Sequence, residues 1–215
     1  MVQPDELSVI AWVLPQTEDT RLAHRKAGDL PSIEWSKVRH YGEKVNENLR
    51  HYVVDMLIAD GYQAFAPTLL PQWSRAISDK YGYASCWSER HAAHACGLGT
   101  FGLSDGLITP AGKAIRVGSV IVRKRFTPTP RTYARHNEWC LFLSGRKCLA
   151  CMKRCPAGAI SEAGHDKIKC KDYIRKVTAV YVEQEQLGFR VNNCGLCQTK
   201  VPCEARNPVE RKKRI

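Results

Sequence analysis

The stretch "CLFLSGRKCLACMKRCP", residues 140–156, decides how this chain is read. Three of its cysteines, Cys148, Cys151 and Cys155, follow the pattern C-x2-C-x3-C-P, but the cysteine before them, Cys140, lies much further back. A regular motif would place one more cysteine at position 145, which is occupied by Gly145. Closely spaced cysteines of this kind indicate metal ligation, and the metal they hold depends on the cysteines elsewhere.

Eight of the ten cysteines lie after residue 139, and the second group reads "CGLCQTKVPC", residues 194–203. Bacterial ferredoxins use C-x2-C-x2-C-x3-C-P, in which the cysteine before the proline ligates the other cluster. Applied here, this rule predicts two [4Fe-4S] clusters with four thiolates each. The first set is Cys140, Cys148, Cys151 and Cys203, and the second is Cys155, Cys170, Cys194 and Cys197.

Zinc is the main alternative, because paired C-x2-C motifs also form tetrahedral zinc sites. Zinc ribbons and fingers lack the third close cysteine and the Cys-Pro ending, so the pattern favours iron–sulfur clusters. A zinc site, free thiols and disulfides are the alternative interpretations of these cysteines. The segment "LFLSGRK" then forms a wider loop that returns Cys140 to its cluster. Cys86 and Cys96 stand apart and are interpreted as packing residues.

Composition supports an intracellular metalloprotein. The chain has 215 residues, enough to bury a core without disulfides. The N-terminus lacks the basic region, apolar run and cleavage site of a secretory signal, and no apolar stretch reaches the roughly 20 residues that span a bilayer. We therefore expect a soluble, reduced, cytoplasmic protein with no membrane association. The formal net charge of +12 is concentrated at 116–126 and 210–215, which we interpret as a solvated face and tail.

The pattern along the chain predicts a layered α/β domain over residues 1–130, followed by a small cysteine-rich module over 131–215. Residues 127–133 are the expected linker, and the polar stretch 16–34 is expected to be a loop. The elements expected in the first domain are strands at 8–14, 62–67 and 115–122 and helices at 35–60 and 88–96. Ser88 is the expected N-cap of the last helix and Gly97 its C′ residue.

The segment "GLGTFG", residues 97–102, matches the dinucleotide pattern G-x-G-x-x-G. A dinucleotide loop follows a strand and opens a helix, whereas this segment closes one. The glycines are instead expected to permit close approach of the backbone to another element or to a different planar cofactor.

Together these pieces resemble the epoxyqueuosine reductases and the related reductive dehalogenases. The resemblance is carried by "SERHAAHACGLGTFGLSDGLITPAGKAIRVGSVIV", the two cysteine groups in order, and "KCKDYI" between them, and it spans roughly residues 8–208. It implies a reductive-dehalogenase core, a ferredoxin-like two-cluster module, a low-potential electron donor and a cobalamin. The residues it would place against the corrin or substrate are Gly97, Gly99, Gly102, Thr109, Lys113 and Arg116.

The catalytic acid of epoxyqueuosine reductase should fall just before this helix, where the sequence reads "KYGYASCW", residues 80–87. Residues 80–87 contain no acidic side chain, so Tyr83, or Tyr81, is the candidate general acid, as the resemblance to reductive dehalogenases implies. The second motif also ends "VPCEARNP" rather than on Cys-Pro, which makes Cys203 the least regular ligand. By comparison with the family, we expect this sequence to lack an upstream segment and the C-terminal helical repeats associated with tRNA contact.

The predicted function is that of a cobalamin-dependent, reductase-like enzyme. Electrons would pass through two [4Fe-4S] clusters to a cobalamin that reduces an organic substrate. The expected substrate is a small molecule or a tRNA. The basic net charge slightly favours an anionic substrate such as tRNA. One alternative is an electron-transfer protein or subunit without a substrate of its own, and another is a zinc-stabilised nucleic-acid binder.

Overall fold

The computed structural model describes residues 3–79 and 82–210. The candidate Tyr81 and all but the first residue of the basic run 210–215 therefore lie outside the described residues. The chain forms two compact units that are interleaved in sequence. The sheet unit comprises Met1–Leu14, Glu43–Leu98 and Arg116–Thr132, and the cysteine unit comprises Pro15–Gly42, Gly99–Ile115 and Tyr133–Ile215.

The protein mixes helices with small sheets, as the predicted α/β class requires. The strands are β1 (Ser8–Pro15), β2 (Ala64–Phe65), β3 (Arg75–Ser78), β4 (Gly82–Ser85), β5 (Thr100–Phe101), β6 (Leu107–Ile108), β7 (Ile115–Val122), β8 (Ile160–Ser161) and β9 (Gly164–His165). The α-helices are α1 (Glu18–Lys26), α2 (Ile33–Ala59), α3 (Glu89–Ala95), α4 (Ala150–Lys153), α5 (Lys167–Tyr173) and α6 (Ala179–Val182). Two π-helical segments, Ile174–Thr178 and Glu183–Leu187, make 167–187 one continuous helical stretch.

The sheet unit is built on a three-stranded sheet in the order β1-β7-β2, with β2 antiparallel to β7. Its core joins the sheet to the C-terminal part of α2 through four buried side chains, Leu57, Ala66, Val120 and Val122. The apolar periodicity of this stretch predicted the helix itself, at 35–60. Asn46 joins α2 to strands β1 and β7. Its side chain accepts a hydrogen bond from Trp12 Nε1 at 2.9 Å and donates one to the carbonyl of Val117 at 3.0 Å.

Helix α3 begins and ends where the sequence predicts. Ser88 is its N-cap residue, although the Ser88 side chain makes no capping hydrogen bond. At the C-terminus, the amides of Gly97 and Leu98 donate to the carbonyls of His94 and Ala93, which is a Schellman motif. Gly97 has φ +84°, as a C′ residue in the left-handed region requires.

Helix α1 corrects one expectation, because residues 16–34 were predicted to be a loop. The Thr17 hydroxyl accepts a hydrogen bond from the Thr20 amide at 3.3 Å and so caps the helix. Glu18 and Asp19 occupy the first turn and basic residues the last, which suits the helix dipole. A short helix that is stabilised at its ends needs few apolar residues at helical spacing. Hydrophobic periodicity therefore does not predict it.

The predicted domain boundary at residue 130 differs from the observed units. Residues 15–42 and 99–115, assigned by sequence to the first domain, pack with the cysteine-rich part of the chain. The Arg154 guanidinium donates to the carbonyls of Ala27 and Gly28, at 2.8 and 3.2 Å. Such contacts join residues more than a hundred positions apart, which local patterning cannot anticipate. Among the described residues, no helix is both long enough and apolar enough to cross a membrane.

Candidate metal centre

The first predicted tetrad surrounds one cavity of the cysteine unit. Cys140, Cys148, Cys151 and Cys203 all line it, together with apolar side chains such as Leu103 and Val201. Cys148 precedes α4 and Cys151 lies within that helix, so a single turn presents both thiols. The structure therefore brings together the four cysteines that the sequence paired, including the irregular Cys203.

The second predicted tetrad is assembled from three separate segments. Cys155 follows α4, Cys170 lies on α5, and Cys194 and Cys197 flank the start of the short 3₁₀ helix Leu196–Gln198. Burial raises the pKa of Cys194 to about 12, and the neighbouring Cys197, Cys170 and Cys155 contribute in the same direction. All four side chains are half-buried, and the other three lie close enough to Cys194 to act on its charge.

The first tetrad has the same electrostatic character. Burial raises the pKa of Cys151 to about 11, against the opposing effect of the Lys113 ammonium. Burial likewise raises the pKa of Cys203, with Cys140 and Cys148 adding to it and Lys113 opposing it. Since the thiolate is the metal ligand, a metal that binds here must displace protons from buried thiols.

The donor set fits iron–sulfur clusters. Within residues 3–79 and 82–210, no three His, Cys, Asp or Glu side chains converge in a way that would hold a single metal ion. Four thiolates on one zinc ion lie about 4 Å apart, given Zn–S bonds of about 2.3 Å. The first tetrad instead surrounds a cavity, and a cluster body of iron and sulfide needs such a space between its thiolates.

The hydrophobic core of the cysteine unit contains the ligands themselves. Cys140 and Cys151 are buried members of this core, with Trp139, Ile108 and Ile160. Three more of the predicted ligands, Cys155, Cys197 and Cys203, pack against it. Packing around the thiols excludes water, and low solvent exposure is one of the factors that set a cluster's potential.

The glycine motif serves backbone packing. Gly99 lies against β6, where an added Cβ would come within 2.2 Å of the Ile108 carbonyl oxygen. Gly112 has φ +85°, and a Cβ there would come within 2.2 Å of the Glu204 carbonyl oxygen. The amide of Lys113 donates to the Cys203 carbonyl at 2.8 Å, so this segment holds the backbone of the last cysteine.

The residues expected against a corrin all make contacts inside the protein. Gly97 lies against the carbonyls of 129–130, and Gly102 lies against the Ile108 side chain. The Thr109 hydroxyl is buried and donates to the Gly112 carbonyl at 2.8 Å. Lys113 lines the cavity of the first tetrad and Arg116 pairs with Glu43. Binding of a corrin by these residues stays a prediction.

The candidate acid Tyr83 lies on β4, opposite Ile77 of β3, and is half-buried. This hairpin belongs to the sheet unit, whereas all eight predicted cluster ligands belong to the cysteine unit. A proton-donating role for Tyr83 stays a prediction.

Sequence reasoning missed Glu204, which directly follows Cys203. Its carboxylate is 2 % exposed and pairs with Arg25 at 2.9 Å and with Arg21 at 3.3 Å. It also accepts from the Lys200 amide at 2.7 Å, so it fixes the turn that presents Cys203. The available signal was the sequence "CEAR" in place of Cys-Pro.

A second missed feature supports the loop that carries Cys194 and Cys197. His24 is fully buried and stacks on Trp35, with ring centroids 4.3 Å apart and planes 8° apart. Burial, and then the Arg154 charge, lowers the pKa of His24 to about 4. Gly195 lies against the other ring, since a Cβ there would come within 2.1 Å of Trp35 Nε1. The glycine of "CGLC" was the only local sign.

The fold and site define a mixed α/β protein in which eight buried or half-buried cysteines form two groups of four. No family model matches the chain. It is 30% identical over 130 residues to an epoxyqueuosine reductase from Francisella cf. novicida (strain Fx1). The aligned region covers 58% of this chain and 34% of that protein. Over these residues the chain is thus similar to an epoxyqueuosine reductase, the family that its motifs resemble.

A solved structure of an epoxyqueuosine reductase shares this fold. A selenomethionine-labelled epoxyqueuosine reductase matches with a TM-score of 0.50 at 16% identity, covering 92% of this chain and 48% of that one. The Bacillus subtilis enzyme matches with a TM-score of 0.49 at 17% identity and the same coverage. The chain therefore spans about a third of the curated relative and about half of the solved chains.

Proposed function

We propose that this chain is an iron–sulfur oxidoreductase that binds two [4Fe-4S] clusters. The observation that carries the proposal is the cavity lined by Cys140, Cys148, Cys151 and Cys203. The second set is supported by the effect of Cys197, Cys170 and Cys155 on the pKa of Cys194. The relationship to an epoxyqueuosine reductase supports the same chemistry. A bound cluster would supply one-electron transfer at low potential.

The protein's own residues hold and shield the clusters in this proposal. Cys140, Cys148, Cys151 and Cys203 would ligate the first cluster, and Glu204 keeps the last of these ligands in position through its two arginines. Cys155, Cys170, Cys194 and Cys197 would ligate the second. The amide of Ala159 donates to Cys155 Sγ at 3.3 Å, and hydrogen bonds of this kind to cluster sulfurs raise the reduction potential.

Cobalamin as the electron acceptor, and a modified tRNA base as the substrate, come from the family resemblance. The ferredoxin-like character of the cysteine unit comes from its cysteine spacing as well as from the resemblance. The net charge of +12 is compatible with an anionic substrate such as tRNA. Electrons would have to come from a low-potential donor, because clusters of this class reach strongly negative potentials.

The test is anaerobic purification with quantification of iron, sulfide, zinc and cobalt. We expect about eight irons and eight sulfides per chain, absorption near 400 nm that bleaches with dithionite, and paramagnetic signals from reduced clusters. Stoichiometric zinc without iron would contradict the proposal and promote the zinc alternative.

The acceptor is tested separately, by adding cobalamin to the cluster-loaded protein. A changed corrinoid spectrum and dithionite-dependent reduction of an epoxyqueuosine-containing tRNA would support the reductase. Full clusters with no corrinoid binding would leave an electron-transfer protein without its own substrate.

A further inference from the structure

Lys113 is a buried cation at the first tetrad. Its side chain is part of the cavity lined by Cys140, Cys148, Cys151 and Cys203, and the residue is 3 % exposed. The Lys113 ammonium donates to Ser104 Oγ at 3.0 Å. Among the described residues, no aspartate or glutamate forms an ion pair with it. A lysine buried without a carboxylate partner needs another source of negative charge.

The cysteines supply that negative charge. The four cysteines line the same cavity as the Lys113 side chain, and a four-iron cluster bound by four thiolates carries a net negative charge. The backbone of Lys113 is fixed as well, because its amide donates to the Cys203 carbonyl. The side chain is therefore held as an ammonium facing the sulfurs of the first tetrad.

We propose that Lys113 raises the reduction potential of the cluster held by Cys140, Cys148, Cys151 and Cys203. This inference rests on the proposed function, since it requires that the cluster is present. An external low-potential donor gives the cluster one electron, which makes its net charge more negative by one unit with no proton transferred. A fixed positive charge in a low-dielectric site favours the more negative state, and net charge near a cluster sets its potential.

The position of Lys113 implies that its charge acts mainly on one of the two proposed clusters. The cavity that Lys113 lines is bordered by all four cysteines of the first tetrad and by none of the second. The first cluster is thus stabilised in its reduced form relative to the second. Electrons entering at the second cluster would move towards the first.

The experiment is a redox titration of both clusters, followed by electron paramagnetic resonance, in the wild-type protein and in K113M, K113Q, K113R and S104A. In K113M and K113Q we expect one midpoint to fall by about 59 mV or more, a tenfold change in the reduced-to-oxidised ratio at fixed potential. The second midpoint should move much less. K113R keeps the charge and S104A removes only the acceptor, so both should stay closer to the wild type.

The variant C203S identifies the midpoint that moves, because it should remove the first cluster and its signal. Unchanged midpoints in K113M and K113Q, with both clusters present, would overturn the inference. Loss of the first cluster in K113Q would also overturn it, since Lys113 would then act in assembly. An absence of clusters in the wild-type protein is a different result, because it rejects the proposed function itself.

Discussion

Cys203 completes the first tetrad from a part of the chain far from its three partners. It lines the same cavity as Cys140, Cys148 and Cys151, and Glu204 fixes its turn. We expect C203S to lower the iron content from about eight to about four atoms per chain, because a four-iron cluster bound by three thiolates is labile. Iron and sulfide assays with paramagnetic resonance measure this.

The matched control for C203S is C86S, because Cys86 is exposed and belongs to neither tetrad. C86S should keep all of the iron and both signals. Retention of about eight irons in C203S, with both signals unchanged, would remove Cys203 from the ligand set.

Two glycines have nearly the same backbone conformation but different surroundings. Replacing each by alanine distinguishes the cost of backbone strain from the cost of a steric clash. Gly112 and Gly145 have φ +85° and +84°, but only Gly112 has an atom of the protein within 4 Å of an added Cβ. In the left-handed region an alanine costs about 1–2 kcal/mol. We expect G145A to lose about that much stability and G112A to lose clearly more, because the Glu204 carbonyl must move.

Anaerobic urea unfolding of the cluster-loaded variants measures the two losses, and the iron content of each gives a second readout. G112A should also lose iron, since the displaced segment carries Cys203. Equal losses in G112A and G145A would show that the contact with Glu204 is unimportant.

At the scale of elements, Arg50 joins α2 to α3 within the sheet unit. The Arg50 guanidinium is almost fully buried and pairs with Glu89 at 3.1 Å and with Glu43 at 3.2 Å. Burial raises the pKa of Glu89, so this carboxylate depends on its partners to stay charged. Removing one partner of a buried pair costs about 3–5 kcal/mol, because the other charge is left uncompensated.

We therefore expect R50M to destabilise the protein strongly, and R50M/E89Q to recover much of that loss. Unfolding midpoints of the two single variants and the double variant give the coupling free energy. K176M is the control, because Lys176 and Asp172 form an exposed pair that should matter little. Additive effects of R50M and E89Q would mean that the pair does not couple the helices.

The elements that sequence predicted well are those whose signal is local. Helix α2 follows from apolar periodicity, and the end of α3 follows from Gly97. Helix α1 was missed because its stability comes from the Thr17 cap and from charge at its ends. The function of Gly112 could not be predicted either, since its contact, Glu204, lies more than ninety residues further along the chain. The two tetrads follow from the Cys-Pro rule, which links two distant motifs, and they stay a prediction; the four cysteines of the first tetrad line one cavity.

At the scale of the whole molecule, the two units differ in what forms their cores. The sheet unit buries aliphatic side chains such as Leu57, Val120 and Val122 between a helix and a sheet. The core of the cysteine unit contains Cys140 and Cys151. Removing the clusters would therefore leave the first core intact and open a void, lined by buried thiols, in the second.

This difference predicts that cluster removal loosens only one of the units. After treatment with an iron chelator under reducing conditions, we expect backbone amides in 133–210, 15–42 and 99–115 to exchange with deuterium much faster. Amides of β7 and of the C-terminal part of α2, which belong to the sheet core, should keep most of their protection, because no cluster ligand packs in that core. Hydrogen exchange followed by mass spectrometry compares the loaded and cluster-free protein directly. Uniform loss of protection along both units would show that the sheet unit also depends on the clusters, and unchanged exchange throughout would mean that the cysteine unit folds without them.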